Sequence, residues 1–573
     1  MKEPLTITTE RVDDIPLLLA HMQRMGLARL LDAYFPTHGN RQGLSLGMVT
    51  IIWLTHVLSQ ADHRMNRVQP WAEHHLETVR GCSDALLEVR DLGDDRLADV
   101  LRHLSDDERW GTFEQDLTGQ LVRVYDLGAD CVRLDSTTVS SYGAVSEDGL
   151  VQLGHSKDHR PDLGQLKVML ATLDPLGMPL ATEVLSGERA DDPLYLPAIA
   201  RVRAYLNRVG LLYVGDVKMG ALGTRASIQA AGDYYLCPLS ALQVSTEHLA
   251  QQLAALRESS QPLLTVERTG ADGQTHSIAQ GYEASQTITA QLEAGSYTWT
   301  ERRLLVRSEA AARAAETALR SRLGQAQAAL SDLVVRRQGK PVLADRAAVE
   351  QAVADTLMHF RVEGLLRVTV SELVTEQPVR AYRDRPATLR NQRQFTISSD
   401  VQPDALASAI EQLGWRVYAT NQVADGLSLS QAVEAYRDEY VVERTFGRLK
   451  GQPLSLSPMY VERDDHATGL VRLLSIALRV LTLMEFVVRR QLAQEGATLA
   501  GLYAGNPKRV TTHPTTERLL EAFQEITLTL VIEPQQTRRH LTALSPLQQR
   551  VLALLAFTPT IYTQLCGDSS EPP

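Results

Sequence analysis

Three acidic residues, far apart in the chain, stand where carboxylates bind metal ions. Asp135 ends the run "VRLD" and Asp216 ends the run "LLYVGD", so both are predicted to follow buried strands. Side chains just beyond strand ends converge at one edge of an open α/β sheet. Glu443 lies in the amphipathic segment "YVVERTFGRLK", residues 440–450, near its apolar face. Together they predict an oxygen-only site for a hard cation, Mg²⁺ or Mn²⁺.

Each of these residues also has an ordinary structural interpretation. A strand-terminal Asp often caps a helix or forms a turn, and Glu443 has Arg444 and Arg448 as possible ion-pair partners. Three converging carboxylates repel one another unless a cation neutralises them. Two cations bound there would support an in-line displacement at a phosphodiester.

The segment containing Glu443 must be a helix packed beside the two strands. Tyr436, Glu443 and Lys450 are spaced by seven residues, which places all three on one helical stripe. The neighbouring stripe is apolar and is predicted to enter the core through Val442, Phe446 and Leu449.

The segments "RLDST", "YVGDVKMG" and "YRDEYVVERTFGRLK", in this order, resemble the motifs of the DDE transposases of bacterial insertion sequences. The resemblance is to the group with a ribonuclease-H-like catalytic domain and an insertion before the final Glu. That group carries Tyr, two residues, Arg, three residues, Glu, six residues and Lys; Tyr436, Glu443 and Lys450 fall in register. Glu439 occupies the Arg position, which reverses the charge there. The blocks "GHSKDHRPDLGQLKVMLATLDPLGMPLATEVLSGERADDP" and "RVDDIPLLLAHMQRMGLARLLDAYFPTHGNRQGLSLG" extend the resemblance.

The resemblance implies a transposase that cleaves DNA and joins it to a target. Asp135, Asp216 and Glu443 would bind two Mg²⁺ ions, with Mn²⁺ as a substitute. Water would attack a phosphodiester at the terminal inverted repeats, and the freed 3′-OH would attack target DNA. The partners implied are double-stranded DNA and a second copy of the chain, forming a homodimer that holds two ends.

Basic residues near these motifs are the candidates for DNA contact, although the net charge is −11. The segment "PVRAYRDRPATLRNQRQF" interleaves arginines with Tyr382 and Phe395, which suits phosphate contact and base stacking; a solvated loop is the alternative. The segment "SKDHR" precedes a predicted hairpin close to Asp135, and either Arg437 or Arg444 would replace the signature Arg. The predicted DNA-contacting residues are Tyr436, Lys450, Arg444, Arg437, Lys157, Arg160, Arg380, Arg383, Arg385, Arg390 and Arg393.

The length of 573 residues predicts several domains. Residues 1–128 are predicted to form a helical DNA-binding or dimerisation domain. The resemblance implies an α/β ribonuclease-H-like domain with a mixed five-stranded sheet, built from residues 129–242 and 396–500. An α+β insertion, 243–395, interrupts it, and residues 501–573 are predicted to form a helical C-terminal region.

Other sequence features exclude several classes of protein. The four cysteines are widely separated, which argues against a zinc ribbon and a disulfide framework. His155 and His159 lack a third ligand nearby and are interpreted as polar or DNA-facing residues. The apolar stretch "GLVRLLSIALRVLTLMEFVV" is interrupted by Arg472, Arg479 and Glu485, which indicates a buried helix and no membrane partner. The expected location is the bacterial cytoplasm, at the nucleoid.

Two other functions remain open from the sequence. One is a transposase-derived DNA-binding protein without catalysis, although retention of all three carboxylates argues against it. The other is a metal-dependent nuclease on the same fold, which cleaves DNA without joining it.

Overall fold

The computed structural model describes residues 6–37, 43–83, 87–259, 262–270, 273–293, 295–335, 343, 345–379, 388–533 and 536–567. It is a mixed α/β protein whose chain divides into two compact units. The first unit comprises Met1–Cys237, Ile288–Trp299 and Ala435–Pro573, and the second comprises Pro238–Thr287 and Thr300–Glu434.

The first unit begins with one strand followed by helices. These elements are β1 (Thr6–Arg11), α1 (Ile15–Arg24), α2 (Leu27–Tyr34), α3 (Leu46–Gln60), α4 (Met65–His74), α5 (Leu76–Ser83), α6 (Asp94–Leu104) and α7 (Asp107–Val124), with a 3-10 turn at Val89–Leu92. Ser45 caps the start of α3, because its Oγ accepts a hydrogen bond from the Met48 amide at 3.2 Å.

Five strands follow, with two intervening helices. They are β2 (Cys131–Ser141), β3 (Gly164–Leu173), β4 (Met178–Ser186), α8 (Tyr195–Leu206), β5 (Leu212–Gly215), α9 (Leu222–Ala230) and β6 (Tyr234–Pro238). Their order in the sheet is β4-β3-β2-β5-β6. β2, β3 and β4 form an antiparallel meander, whereas β5 runs parallel to β2 and β6 parallel to β5. The predicted hairpin is thus confirmed as β3–β4.

The second unit has its own core, and parts of β8 and β9 belong to the first unit, which includes Ile288–Trp299. Its elements are α10 (Thr246–Ser259), β7 (Leu264–Thr269), β8 (Thr275–Leu292), β9 (Gly295–Ser308), α11 (Glu309–Leu333), α12 (Arg346–Phe360), β10 (Leu366–Val379), β11 (Thr388–Val401), α13 (Pro403–Glu411) and β12 (Trp415–Thr420). The strand order is β12-β9-β8-β7. β10 and β11 form a separate two-stranded ribbon, paired from Leu366↔Val401 to Val379↔Thr388. Leu319 and Leu330 of α11, Val349 of α12 and Phe395 of β11 share one core cluster.

The rest of the chain is mostly helical. Its elements are α14 (Leu429–Arg437), α15 (Tyr440–Lys450), α16 (Asp464–Glu495), β13 (Leu499–Ala500), β14 (Val510–Thr511), α17 (Thr516–Glu521), β15 (Thr527–Glu533), β16 (Gln536–Leu541), α18 (Pro546–Leu554) and α19 (Thr560–Thr563), with a 3-10 turn at Gln564–Cys566. The apolar stretch that contains Arg472, Arg479 and Glu485 lies in α16, which packs against α6, β4 and α15. No helix among the residues described above is long and apolar enough to cross a membrane.

Two sequence-based expectations about the termini are wrong in part. β1 lies in a region predicted to be helical throughout, and β15 and β16 lie in a C-terminal region predicted to be helical. The three strands form one sheet in which Thr6 pairs with Ile532 and Arg11 with Thr527. A strand whose partner lies more than 500 residues away has no local sequence signal for that pairing.

The unit boundaries also differ from the predicted domain boundaries. The second unit extends to Glu434, well past the predicted end of the insertion at residue 395. The N-terminal helices belong to the first unit together with α16. This grouping has a packing reason, because α16 contacts both α3 and α6.

Candidate functional site

Asp135 and Asp216 lie side by side, although Asp135 lies inside β2 and not at the end of a strand as the sequence predicts, because β2 continues to Ser141 in its pairing with β3. The parallel pairing of β2 with β5 ends at Leu134↔Gly215, so Asp135 and Asp216 are the next residues on adjacent strands. Both line one cleft, together with Tyr436 and Glu439. The predicted convergence of these two aspartates is therefore what the structure shows.

Asp216 is held in one orientation by two donors. The Tyr195 hydroxyl of α8 donates to Asp216 Oδ1 at 2.6 Å, and the Lys218 amide donates to the same oxygen at 2.8 Å. Burial, followed by the neighbouring Asp216 charge, raises the pKa of Tyr195 well above its usual value, so its hydroxyl stays a donor. None of the hydrogen bonds of the described residues involves Asp216 Oδ2, so this oxygen is available to another ligand.

Asp135 carries a strongly perturbed carboxyl group. Burial raises its pKa to about 7, the Lys157 ammonium opposes that rise, and the Asp216 and Glu439 carboxylates add to it. Its Oδ1 accepts a hydrogen bond from the Ser136 amide at 2.7 Å and lies 3.9 Å from Lys157 Nζ. Asp135 is therefore easily protonated until a cation offsets the crowded negative charge.

Lys157 reaches this cleft from the loop before β3. Its Nζ donates to the Ser136 carbonyl at 2.6 Å and to Ser136 Oγ at 3.0 Å. It also lies 3.6 Å from Asp191 Oδ2, while Asp191 Oδ1 accepts a hydrogen bond from Lys167 at 2.7 Å. The predicted basic residue thus lies within reach of anything bound between the aspartates.

The third carboxylate that lines the cleft is Glu439, whereas Glu443 is exposed on α15 and does not line it. The predicted stripe assumed one continuous helix from Tyr436 to Lys450. The helix is interrupted instead, because α14 ends at Arg437 and α15 begins at Tyr440. The seven-residue spacing therefore does not place Tyr436 on the same helical stripe as Glu443 and Lys450.

Tyr436 and Lys450 occupy the two ends of this segment. Tyr436 lines the cleft, and Arg133 of β2 fixes its neighbourhood by donating to the Ala435 carbonyl. Lys450 donates to Thr137 Oγ1 at 3.1 Å and forms an ion pair with Asp158. Both residues thus lie beside β2, the strand that carries Asp135.

The apolar stripe of α15 is buried as predicted, through Val442, Phe446 and Leu449. Arg444, a predicted DNA contact, instead donates to both carboxylate oxygens of Glu485 on α16. Arg448 and Arg489 also pair with Glu485, so this cluster joins α15 to α16.

The remaining predicted DNA contacts are spread over both units. Arg160 forms a two-bond pair with Asp162, at 2.9 and 2.7 Å, and Arg437 is the last residue of α14. Arg393 lies 3.4 Å from Glu372 across the β10–β11 ribbon. Arg390 belongs to β11, but its side chain lies outside the described part, as do Arg380, Arg383 and Arg385 altogether.

The cleft fits a hard divalent cation held partly by the substrate. Its donors are carboxylate oxygens, and burial, with a smaller contribution from the Asp216 and Glu439 charges, raises the pKa of Asp135. In the described part of the chain, no three His, Cys, Asp or Glu side chains form a ready metal cage. Mg²⁺ is usually bound by one or two carboxylates plus water and substrate phosphate, which two adjacent aspartates satisfy.

Sequence reasoning missed two residues at the site, Tyr195, which donates to Asp216, and Glu439, which lines the cleft. No motif or regular residue spacing marks Tyr195 within the segment "DDPLYLP". Glu439 was noted only as a departure from the signature Arg, and that charge reversal is the one signal that pointed to it.

No protein-family model and no curated protein matches the chain. A cryo-EM structure of a piggyBac transposase synaptic complex with hairpin DNA is similar at 7% sequence identity, covering 97% of this chain and 84% of that chain, with a TM-score of 0.36. A TM-score of this size does not establish a common fold, so the function must be inferred from the cleft itself.

Proposed function

We propose that this chain is a divalent-metal-dependent DNA transposase of the DDE type, with a ribonuclease-H-like catalytic domain. It cleaves the ends of an insertion sequence and joins the 3′-OH ends to target DNA. The observation that carries the proposal is the cleft in which Asp135 and Asp216, from adjacent parallel strands, lie with Glu439. Such a set suits metal-assisted displacement at a phosphodiester.

The carboxylates have separate roles in this proposal. Asp135 and Asp216 hold Mg²⁺ or Mn²⁺ through the oxygens that their hydrogen-bond donors leave available. Glu439 is the third carboxylate, in place of Glu443, because it is the one that lines the cleft. When bound, two such ions activate the attacking oxygen and stabilise the leaving one.

The chain's own residues hold the substrate and the ligands in place. Tyr195 fixes the orientation of Asp216, and Arg133 fixes the end of α14 near the cleft. Lys157 and Lys450 lie on either side of β2 residues 136–138 and supply positive charge for phosphates near the cut. A second chain is proposed to bind the second DNA end.

The experiment compares Glu439 with Glu443, four residues further along the chain, and also tests the two aspartates. Labelled duplexes carrying the short inverted repeats that flank the gene are incubated with Mg²⁺ and with wild-type, Asp135→Asn, Asp216→Asn, Glu439→Gln or Glu443→Gln protein. We expect cleavage to be lost in the first three variants, with DNA binding kept within a few-fold, and to be retained in Glu443→Gln. Loss in Glu443→Gln together with full activity in Glu439→Gln would assign the third ligand to Glu443.

The products distinguish the proposed function from the two others. Joined products with a second DNA indicate a transposase, whereas cleavage without joining indicates a nuclease. Tight DNA binding without cleavage in either Mg²⁺ or Mn²⁺ indicates a DNA-binding protein without catalysis.

A further inference from the structure

We propose that Tyr142 and Tyr460 form a stacking surface for an unpaired base of the DNA, a short distance from the carboxylate cleft. This proposal rests on the proposed function, because it takes the occupant to be a DNA strand. It adds a base-binding surface on the first unit that the carboxylate motif does not include.

The two tyrosines form a stacked pair at the end of β2. Their ring centroids are 5.1 Å apart and the ring planes differ by 19°. Tyr142 immediately follows β2, and Tyr460 lies in the segment between α15 and α16. The Tyr142 amide donates to the Met459 carbonyl at 2.9 Å, and the Met459 amide donates to the Ser140 carbonyl at 2.8 Å.

The rings are unusually exposed for a packed aromatic pair. Tyr142 is 52% exposed and Tyr460 is 71% exposed, so most of the pair's apolar surface faces solvent. The two backbone hydrogen bonds already join the segments, and the ring pair is not needed for that purpose. An exposed aromatic face is what proteins use to stack on single-stranded bases irrespective of sequence.

A short basic loop connects this pair to the cleft. Lys157 approaches Asp135, and its backbone amide donates to Thr138 Oγ1 at 2.9 Å. Further along the loop, the Arg160 guanidinium donates to both carboxylate oxygens of Asp162 and lies near the Tyr142 hydroxyl. The loop thus presents one cation near the aspartates and one at the rings.

The distance from Asp135 to Tyr142 suits a DNA strand that leaves the cleft. Seven residues of extended backbone separate Asp135 from Tyr142, which corresponds to about 23 Å. A DNA strand with one phosphate in the cleft covers that length with about seven stacked nucleotides. Phosphates along it would meet Lys157, Lys450 and Arg160 before a base reaches Tyr142.

The test separates base stacking from phosphate binding. A labelled oligothymidylate of about 12 nucleotides is compared with an abasic oligomer of equal phosphate number, using full-length protein without divalent metal. We expect wild type to bind the thymidylate roughly tenfold more tightly, since aromatic stacking is worth that much or more per base. The Tyr142→Ala, Tyr460→Ala double variant should lose this preference while its affinity for the abasic oligomer stays unchanged.

Three further variants define what the rings contribute. Tyr142→Phe with Tyr460→Phe keeps both aromatic faces and should keep the preference, whereas Tyr142→Leu with Tyr460→Leu keeps apolar bulk and should lose it. Tyr503→Ala removes a tyrosine that packs against Arg509 and should behave as wild type. The leucine pair also serves if the alanine pair fails to fold.

The outcomes for this proposal and for the proposed function are distinct. An unchanged preference in the alanine or leucine pair, in a protein that cleaves duplex DNA, overturns the stacking surface alone. A wild type that cleaves duplex DNA but does not prefer thymidylate over the abasic oligomer also overturns it alone. A protein that neither binds nor cleaves any DNA overturns both.

Discussion

At the scale of single residues, Asp14 shows how strongly burial changes a carboxyl group in this chain. Burial raises the pKa of Asp14 to about 6, and the hydrogen bond donated by Ser59 Oγ at 2.6 Å opposes that rise. The folded pKa exceeds the unfolded one, so the protonated form favours folding. This stabilisation is present below about pH 4 and is lost as the pH rises to about 6.

Asp14→Asn should therefore stabilise the protein at pH 8 and have little effect at pH 4. Asn keeps an acceptor for Ser59 and has no charge to bury, so the gain approaches about 3 kcal/mol for a shift of about two pKa units. Thermal unfolding midpoints of both proteins at pH 4 and pH 8 measure the effect. A difference between variant and wild type that is the same at both pH values would contradict the assignment to this carboxyl group.

Of the residues at the site, Asp135 and Asp216 were predictable from sequence, whereas Glu439 and Tyr195 were not. Asp135 and Asp216 each follow a short, mostly apolar segment, and the parallel pairing of β2 with β5 ends at the residues just before them. Glu439 was missed because its placement depends on a helix break at Asp438, which no Pro or Gly marks. Tyr195 was missed because the hydrogen bond to Asp216 is a tertiary contact.

At the scale of elements, α15 is positioned by a tight contact with the β3–β4 turn. Gly177 in that turn has φ +71°, and a Cβ added there would lie 2.6 Å from Thr445 Oγ1 and 3.2 Å from the Val441 carbonyl. Thr445 Oγ1 also donates to the Gly177 carbonyl at 2.9 Å. The turn and the helix therefore approach each other at a distance that only glycine permits.

Gly177→Ala should destabilise the protein by about 1–3 kcal/mol and lower DNA cleavage, because it moves the start of α15 and with it Glu439. Gly210→Ala is a matched control, since Gly210 has φ +83° but nothing within 4 Å of an added Cβ. Urea unfolding and cleavage rates are measured for both variants. If Gly177→Ala behaved like Gly210→Ala in cleavage, α15 would not depend on this contact for its position.

The elements that the sequence predicted are those with a local pattern. α15 begins and ends where the segment 440–450 was expected, and the hairpin joined by "DPLGMP" is β3–β4. The β10–β11 ribbon was not predicted, because most of its residues are polar or exposed and give no strand alternation to read.

At the scale of the whole molecule, long-range pairing limits what the sequence reveals. β1 joins β15 from the opposite end of the chain, and the first unit is assembled from three separate stretches. Hydrophobic periodicity predicts a strand or a helix only where the residues of that element show the alternating or helical pattern. The grouping of segments into units depends on contacts, such as those of α16 with α3 and α6, that have no local signature.

The charge of the whole molecule sets the last prediction. The proposed DNA binding by a chain with 58 basic and 69 acidic residues requires local basic groups, for which Arg383 and Arg385 are the predicted candidates. Replacing both by Ala should flatten the plot of log affinity against log salt by about 1.8, because each phosphate contact contributes about 0.9. Binding to a duplex of the inverted repeat between low and moderate salt measures this slope.

Arg320→Ala with Arg346→Ala is the control, because it removes the same charge. These arginines pair along their own helices with Glu316 and Glu350, so the slope should stay at the wild-type value. Equal slopes in the two double variants would mean that Arg383 and Arg385 make no phosphate contact.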